Sequence, residues 1–202
     1  IFRKPATPDP FVNASLSSIG LDENGTERFW ISCVNSLRGA TSYVIDENGD
    51  HRAIDWAADS GVRAIYSVAP ETPEILWVTG GALQKFIRLD LSTGEREFYP
   101  WGGGRFITSG MARDPDTGKL FVGAQTALIS FDTRSRQTVR IYSEDERPPD
   151  NHHYDHWRMP DGSYGFILET PGLSFLRWDP QSETVTWQRL TDDRKHPAVG
   201  CV

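Results

Sequence analysis

A repeat of about 45 residues constrains this chain more than any single motif, because a period between roughly 20 and 50 residues marks a repeat architecture. Apolar segments centred on an aromatic recur at Trp30, Trp77, Phe121 and Phe166, at intervals of 47, 44 and 45 residues. A second apolar series follows each of them and closes on an aspartate: Asp46, Asp90, Asp132 and Asp179. Each aspartate opens a turn-rich stretch, as in Asn48-Gly49-Asp50 or Ser92-Thr93-Gly94-Glu95, and another alternating segment then begins, near His51, Arg96, Gln137 and Thr184. Ahead of each aromatic series stands a further apolar stretch and a tight turn, such as Asp114-Pro115-Asp116-Thr117-Gly118 or Pro160-Asp161-Gly162. Four short strands per unit, joined as hairpins, make one four-stranded antiparallel sheet per repeat. The aspartates are assigned to the turns, where a carboxylate accepts backbone N–H bonds.

Composition agrees with an all-β chain. Gly 18 and Pro 13 are more than a helical bundle tolerates, and the aromatics are spread along the whole length. Trp77-Val78-Thr79-Gly80 followed by Ile87-Arg88-Leu89-Asp90-Leu91-Ser92-Thr93-Gly94-Glu95 resembles the blade repeat of β-propellers of the streptogramin-lyase-like and two-component-regulator kinds. The resemblance implies an all-β propeller over residues 1–202, with blades at 15–56, 61–99, 106–142 and 154–190. It specifies architecture and not chemistry. A complete four-bladed ring and a portion of a larger ring both fit. The second is expected, since a blade must bury both faces and residues 197–202 fall where another inner strand would start. The first residue is Ile1, which leaves a leader or a preceding domain open.

A net charge of −7, with Arg making up most of the 21 cationic residues, excludes a general nucleic-acid face or a polybasic membrane patch. No apolar run approaches the roughly 20 residues that cross a bilayer as a helix. Cys33 and Cys201 show no metal or redox spacing, and whether they pair is open. The sequons Asn13-Ala14-Ser15 and Asn24-Gly25-Thr26 point weakly to an extracellular or periplasmic setting.

With the strands of a blade named A to D from the axis outward, the B-to-C and D-to-A loops open on one face of the ring, the usual site face by family analogy. There the chain carries its densest chemistry, Asn151-His152-His153-Tyr154-Asp155-His156, at the entrance to an inner strand. Strict alternation would direct His152, Tyr154 and His156 to one side and His153 and Asp155 to the other. Three readings stand. His152, His153, Tyr154 and His156 serve as acid and base in a β-elimination on a uronic acid, with Arg38, Arg63, Arg105 or Arg158 neutralising the carboxylate. Alternatively His152, His156 and Glu169 hold a divalent metal, or the histidines are solvated residues of a blade junction. The segment also resembles, loosely, a blade entrance in propeller polysaccharide lyases, although Glu169 stands where those enzymes often place a further histidine. In the loop Pro100-Trp101-Gly102-Gly103-Gly104-Arg105, Trp101 offers a plane for a sugar ring and Arg105 a forked donor. Trp30, Trp77 and Trp178 are assigned to packing between blades. The expected function is that of a carbohydrate-active propeller, a lyase on a uronate-containing glycan. A sensor or scaffold propeller is the alternative. The expected partners are a carbohydrate or small-molecule ligand and further blades of the same protein, with neither nucleic acid nor membrane insertion.

Overall fold

The computed structural model of the chain describes residues 14–22, 24–33, 41–56, 62, 65, 67–79, 85–101, 108–124, 127–146, 152–170 and 172–191. Four antiparallel sheets of four strands follow one another: β1 (Ala14–Leu21) to β4 (His51–Asp55), with β2 (Glu27–Cys33) and β3 (Thr41–Asp46) between; then β5 (Ser67–Pro70), β6 (Ile75–Thr79), β7 (Lys85–Asp90) and β8 (Arg96–Pro100). The third sheet is β9 (Thr108–Arg113), β10 (Lys119–Ala124), β11 (Ala127–Asp132) and β12 (Gln137–Ile141), and the fourth β13 (His152–Arg158), β14 (Tyr164–Thr170), β15 (Gly172–Asp179) and β16 (Thr184–Arg189). Strand order in each sheet follows chain order, so every sheet is an up-and-down blade. A single 3₁₀ turn, Glu144–Glu146, is the only helical element among the described residues.

The turns form for the local reason the sequence supplies. The Asp46 carboxylate accepts the N–H groups of Asn48 and Asp50, Asp90 those of Ser92 and Thr93, Asp132 those of Arg134 and Ser135, and Asp179 those of Gln181 and Ser182. Each side chain thereby replaces the ladder bonds that the chain gives up on reversing. After Asp90, Asp132 and Asp179 the fourth residue adopts positive φ, 77° at Gly94, 61° at Arg136 and 55° at Glu183, and after Asp46 the third does so, 91° at Gly49. Glycine enters that region without strain, whereas Arg136 and Glu183 are held there by the tight turn.

Sheet packs on sheet through three apolar cores, one between each successive pair. Trp30, Val44 and Trp56 of the first blade meet Leu76, Val78, Ile87 and Leu89 of the second. Trp77, Phe86 and Trp101 then meet Leu120, Val122, Ile129 and Phe131, and Phe121, Leu128 and Tyr142 meet Phe166, Leu168, Leu176 and Trp178. In each middle blade both faces are therefore buried, which is why their strands read as continuous apolar runs and not as strict alternation. The three repeated tryptophans, Trp30, Trp77 and Trp178, are fully buried in these cores. Polar staples cross the same seams at the rim. Arg28 of the first blade pairs with Glu74 of the second at 3.0 Å, Arg136 of the third with Glu97 of the second at 2.8 Å, and Lys119 of the third with Glu183 of the fourth at 2.6 Å. Arg52 and Arg140 each cap a backbone carbonyl in the turn of the following blade, at Leu91 and Glu183. The preference for Arg follows, since a planar fork reaches both a carbonyl and a carboxylate.

The faces at the two ends of the series are different. Phe29, Ile31, Tyr43 and Ile45 on the first blade, and Ile167 and Phe175 on the fourth, remain partly exposed, and Trp157 is 41% exposed.

Candidate functional site at the axis

The innermost strands β1, β5, β9 and β13 stand side by side, β5 against β9 and β9 against β13, with β1 beside β5. One side chain from each can therefore meet at the axis, although the strands are far apart in sequence. β13 runs from His152 at the D-to-A mouth to Arg158 at the A-to-B turn, six steps of about 3.3 Å, or roughly 20 Å.

A bulge breaks the alternation expected for β13. His152 pairs with Glu169 and His153 with Leu168, but the next partner of Ile167 is Asp155 and that of Phe166 is His156, so Tyr154 is the inserted residue. By register, His153 and His156 fall in the set of Leu168 and Phe166, and His152 in that of Glu169 and Ile167. Strict alternation, on which the expectation for His152, Tyr154 and His156 rests, does not hold along β13, since each extra residue in a strand reverses the parity beyond it. The side chains of His152, His153, Tyr154, Asp155 and Glu169 lie outside the described ones. His156 is described: its ring stacks on Phe166 at 5.7 Å between centroids and 28° between planes, and it lines the axial cavity.

Two predicted substrate contacts are engaged elsewhere. Trp101 is 1% exposed, and its ring meets Phe86 edge-on at 4.8 Å between the second and third blades. Burial of so large an apolar ring outweighs its use as an open platform. Arg158, at the far end of β13 from His152, binds the Asp116 carboxylate and approaches Asp114 at 3.6 Å. The Asp116 contact holds its guanidinium even more firmly protonated than usual. It ties the fourth blade to the A-to-B turn of the third and is spent on that junction. Arg38, Arg63 and Arg105 lie outside the described residues, as does Cys201. Among the described residues no group of three or more His, Cys, Asp or Glu converges as a metal site. The proposed metal set His152, His156 and Glu169 has only His156 among the described side chains.

The structure also reveals a cavity that linear inspection missed. About 510 Å³ lies at the axis toward the A-to-B face, lined from all four blades by Ser17, Ile19, Val68, Met111, Arg113 and His156 among others. This volume is in the range of small-molecule sites. Tyr164, at its edge, donates to the Arg113 carbonyl at 3.0 Å, and its phenol is pushed up to about 12 by burial and by the nearby Asp114 charge. Glu71 also lines the cavity, but its carboxylate accepts the Trp77 indole N–H at 2.7 Å and faces Arg88 at 3.7 Å. The sequence signal was present: Ile19, Val68 and Met111 each precede an A-to-B turn. Only the repeat register superposes them.

No protein-family model and no curated protein sequence matches the chain. Solved structures do. Virginiamycin B lyase from Staphylococcus aureus aligns over 93% of this chain and 62% of its own, with a TM-score of 0.63 and 12% identity. A streptogramin B lyase aligns over 91% of this chain and 61% of its own, with the same TM-score and identity. The extracellular domain of a one component system from B. thetaiotaomicron aligns over 86% of this chain and 22% of its own, with a TM-score of 0.57 and 17% identity. The chain thus spans about three fifths of the length of these lyases. At such identities the likeness is one of fold, and it agrees with the four sheets: the chain has a β-propeller fold, with four blades among its described residues.

Proposed function

We propose that this propeller recognises a uronate-containing glycan at the D-to-A mouth of its axis and cleaves it by β-elimination. The observation that supports this reading is the run of His152, His153, Tyr154 and His156 on one innermost strand, β13, beside the axis. A guanidinium from the loops of the same mouth, Arg38, Arg63 or Arg105, neutralises the uronate carboxylate and acidifies the adjacent C–H. Tyr154 or one of the histidines takes that proton as the C–H bond breaks. The released electron pair forms the ring double bond, the bond to the glycosidic oxygen breaks, and a second group of the cluster protonates the leaving oxygen. Two lyases among the similar structures, and an extracellular domain beside them, are in keeping with this chemistry and with an extracytoplasmic setting. The test is to incubate the protein with polygalacturonate, alginate and heparin-type chains and follow the unsaturated product at about 235 nm, with Tyr154→Phe and His153→Ala expected to lower the rate by about 10²- to 10⁴-fold. A flat trace with all three substrates rejects the reaction.

The second reading is recognition without turnover by a sensor or scaffold propeller, and the extracellular domain among the similar structures is in keeping with it. Binding of oligouronates with no unsaturated product would select it.

A further inference from the structure

We propose that the axial cavity on the A-to-B face is a second binding site, for a small organic carboxylate with an apolar body, and that Arg113 anchors its acid group. It opens toward the end of β13 opposite His152; His156 lines it and also belongs to the cluster proposed for elimination, whereas Arg113 belongs to this site alone.

The inference starts from a charge count. Among the described arginines, Arg28, Arg88, Arg136, Arg140, Arg158 and Arg177 each meet a carboxylate. Arg52, Arg96 and Arg134 each donate to a backbone carbonyl. Arg113 is different in that its guanidinium meets neither a carboxylate nor a carbonyl among the described residues; a buried Nε without an acceptor it shares with Arg28 and Arg96, whose other guanidinium nitrogens are engaged, and its own backbone carbonyl accepts the Tyr164 hydroxyl. A guanidinium on a cavity wall with no carboxylate partner among the described residues favours an anion bound beside it.

The acidic groups nearest in the fold do not fill that role. Glu71 is held by Trp77 and faces Arg88, and Asp114 faces Arg158 and the Tyr164 hydroxyl. Arg113 is thus a cation of the cavity wall whose charge meets no carboxylate among the described residues. The rest of the lining decides the body of the ligand. Ile19, Val68, Ala69, Pro70, Met111 and Pro115 offer apolar surface, and β1, β5, β9 and β13 all contribute to the cavity wall. An apolar cavity with one forked cationic donor fits a monocarboxylate and discriminates against its uncharged amide, which offers a single weaker acceptor. Ser17, also on the wall, supplies a hydroxyl for a second polar group.

The experiment titrates the protein with benzoate and cyclohexanecarboxylate, and in parallel with benzamide and cyclohexanecarboxamide, following the Arg113 Nε–H resonance and the heat of binding. The acids are expected to bind at least tenfold more tightly than the amides and to shift that resonance. Arg113→Gln should abolish the tenfold preference, while Arg134→Gln, on an exposed turn, should retain it. Should Arg113→Gln fail to fold, Ser17→Trp keeps the arginine and fills the cavity, and it is expected to exclude acids and amides alike. Equal binding of acid and amide, absence of binding by all four probes, or an unchanged preference in Arg113→Gln overturns the proposal. Retained activity on uronates leaves this site standing, and loss of the acid preference leaves the elimination reading standing, so the two fail separately.

Discussion

The ring of Phe121 on the third blade lies 4.9 Å from that of Trp178 on the fourth, and the two planes are only 21° from parallel. Both side chains are essentially inaccessible to solvent, so the pair closes the seam between two sheets. Phe121→Ala is expected to cost about 3–5 kcal/mol, the range for deleting a buried phenylalanine. Val139→Ala, on an exposed outer strand, should stay within about 0.5 kcal/mol. Guanidinium unfolding followed by tryptophan fluorescence measures both, and a small loss at Phe121 would contradict the packing.

Trp101 gives a prediction that separates core from binding loop. As a buried ring between the second and third blades, it should behave like Phe121: Trp101→Ala is expected to lower stability by about 3–5 kcal/mol. Trp101→Phe should recover much of that loss, since it restores an aromatic against Phe86. An unfolding midpoint unchanged in Trp101→Ala, together with lost affinity for oligouronates, would return Trp101 to the site.

Lys119 and Glu183 join the third and fourth blades at 2.6 Å with side chains only 18% and 14% exposed. Glu183 also accepts the Tyr142 hydroxyl at 3.0 Å, and Lys119 donates to the Pro180 carbonyl at 2.7 Å. A pair so enclosed and so connected should couple measurably. A double-mutant cycle of Lys119→Met and Glu183→Gln is expected to give about 1–2 kcal/mol, above the usual value of an exposed pair. Strictly additive losses would show that water screens the pair.

Stability should fall at both ends of the pH scale. Asp22 is held below its ordinary 3.8 chiefly by the Thr26 N–H, Asp90 and Asp161 by the hydroxyls of Ser92 and Ser163, and Glu97 below 4.5 by the Tyr99 hydroxyl. Acids depressed in the folded state stabilise it above their unfolded pKa, and the contribution is lost as pH falls through the folded value. The acid loss therefore begins below about pH 4.5 and continues beneath 3.8. Tyr164 has the opposite sign. Its phenol stays protonated in the fold up to about 12 and ionises in the unfolded chain near 10, so stability declines between those values. Burial raises Tyr142 and Tyr99 as well, so unfolding midpoints across pH check both limbs, and Tyr164→Phe should make the alkaline one shallower without removing it.

The blade pattern was legible because its causes are local. Asp90 holds its turn through Ser92 and Thr93, neighbours in the chain, and the same chemistry returns at Asp46, Asp132 and Asp179. The burial of Trp30, Trp77 and Trp178 was legible for a related reason, because equivalent positions in equivalent strands meet equivalent neighbours. Trp101 follows a strand and precedes three glycines, which locally resembles an open loop, but its burial depends on Phe86, on another strand of the same blade, and on the third blade packing over both. The pairing of Arg158 is equally hidden in the sequence, since the carboxylates that meet it sit 42 and 44 residues earlier, on the turn of the preceding blade.

By itself the sequence determined the four blades seen here, the order of their strands and the chemistry of their turns, because hydrogen bonds between near neighbours and the spacing of apolar residues decide these. Only the tertiary structure decided which charges are already neutralised and which face the axis. The commitment of Arg158 and the cavity beside Arg113 arise where sheets meet, and such contacts exist only once residues separated by a full repeat have been brought together, while the bulge at Tyr154 is set within the fourth sheet by the pairing of β13 with β14.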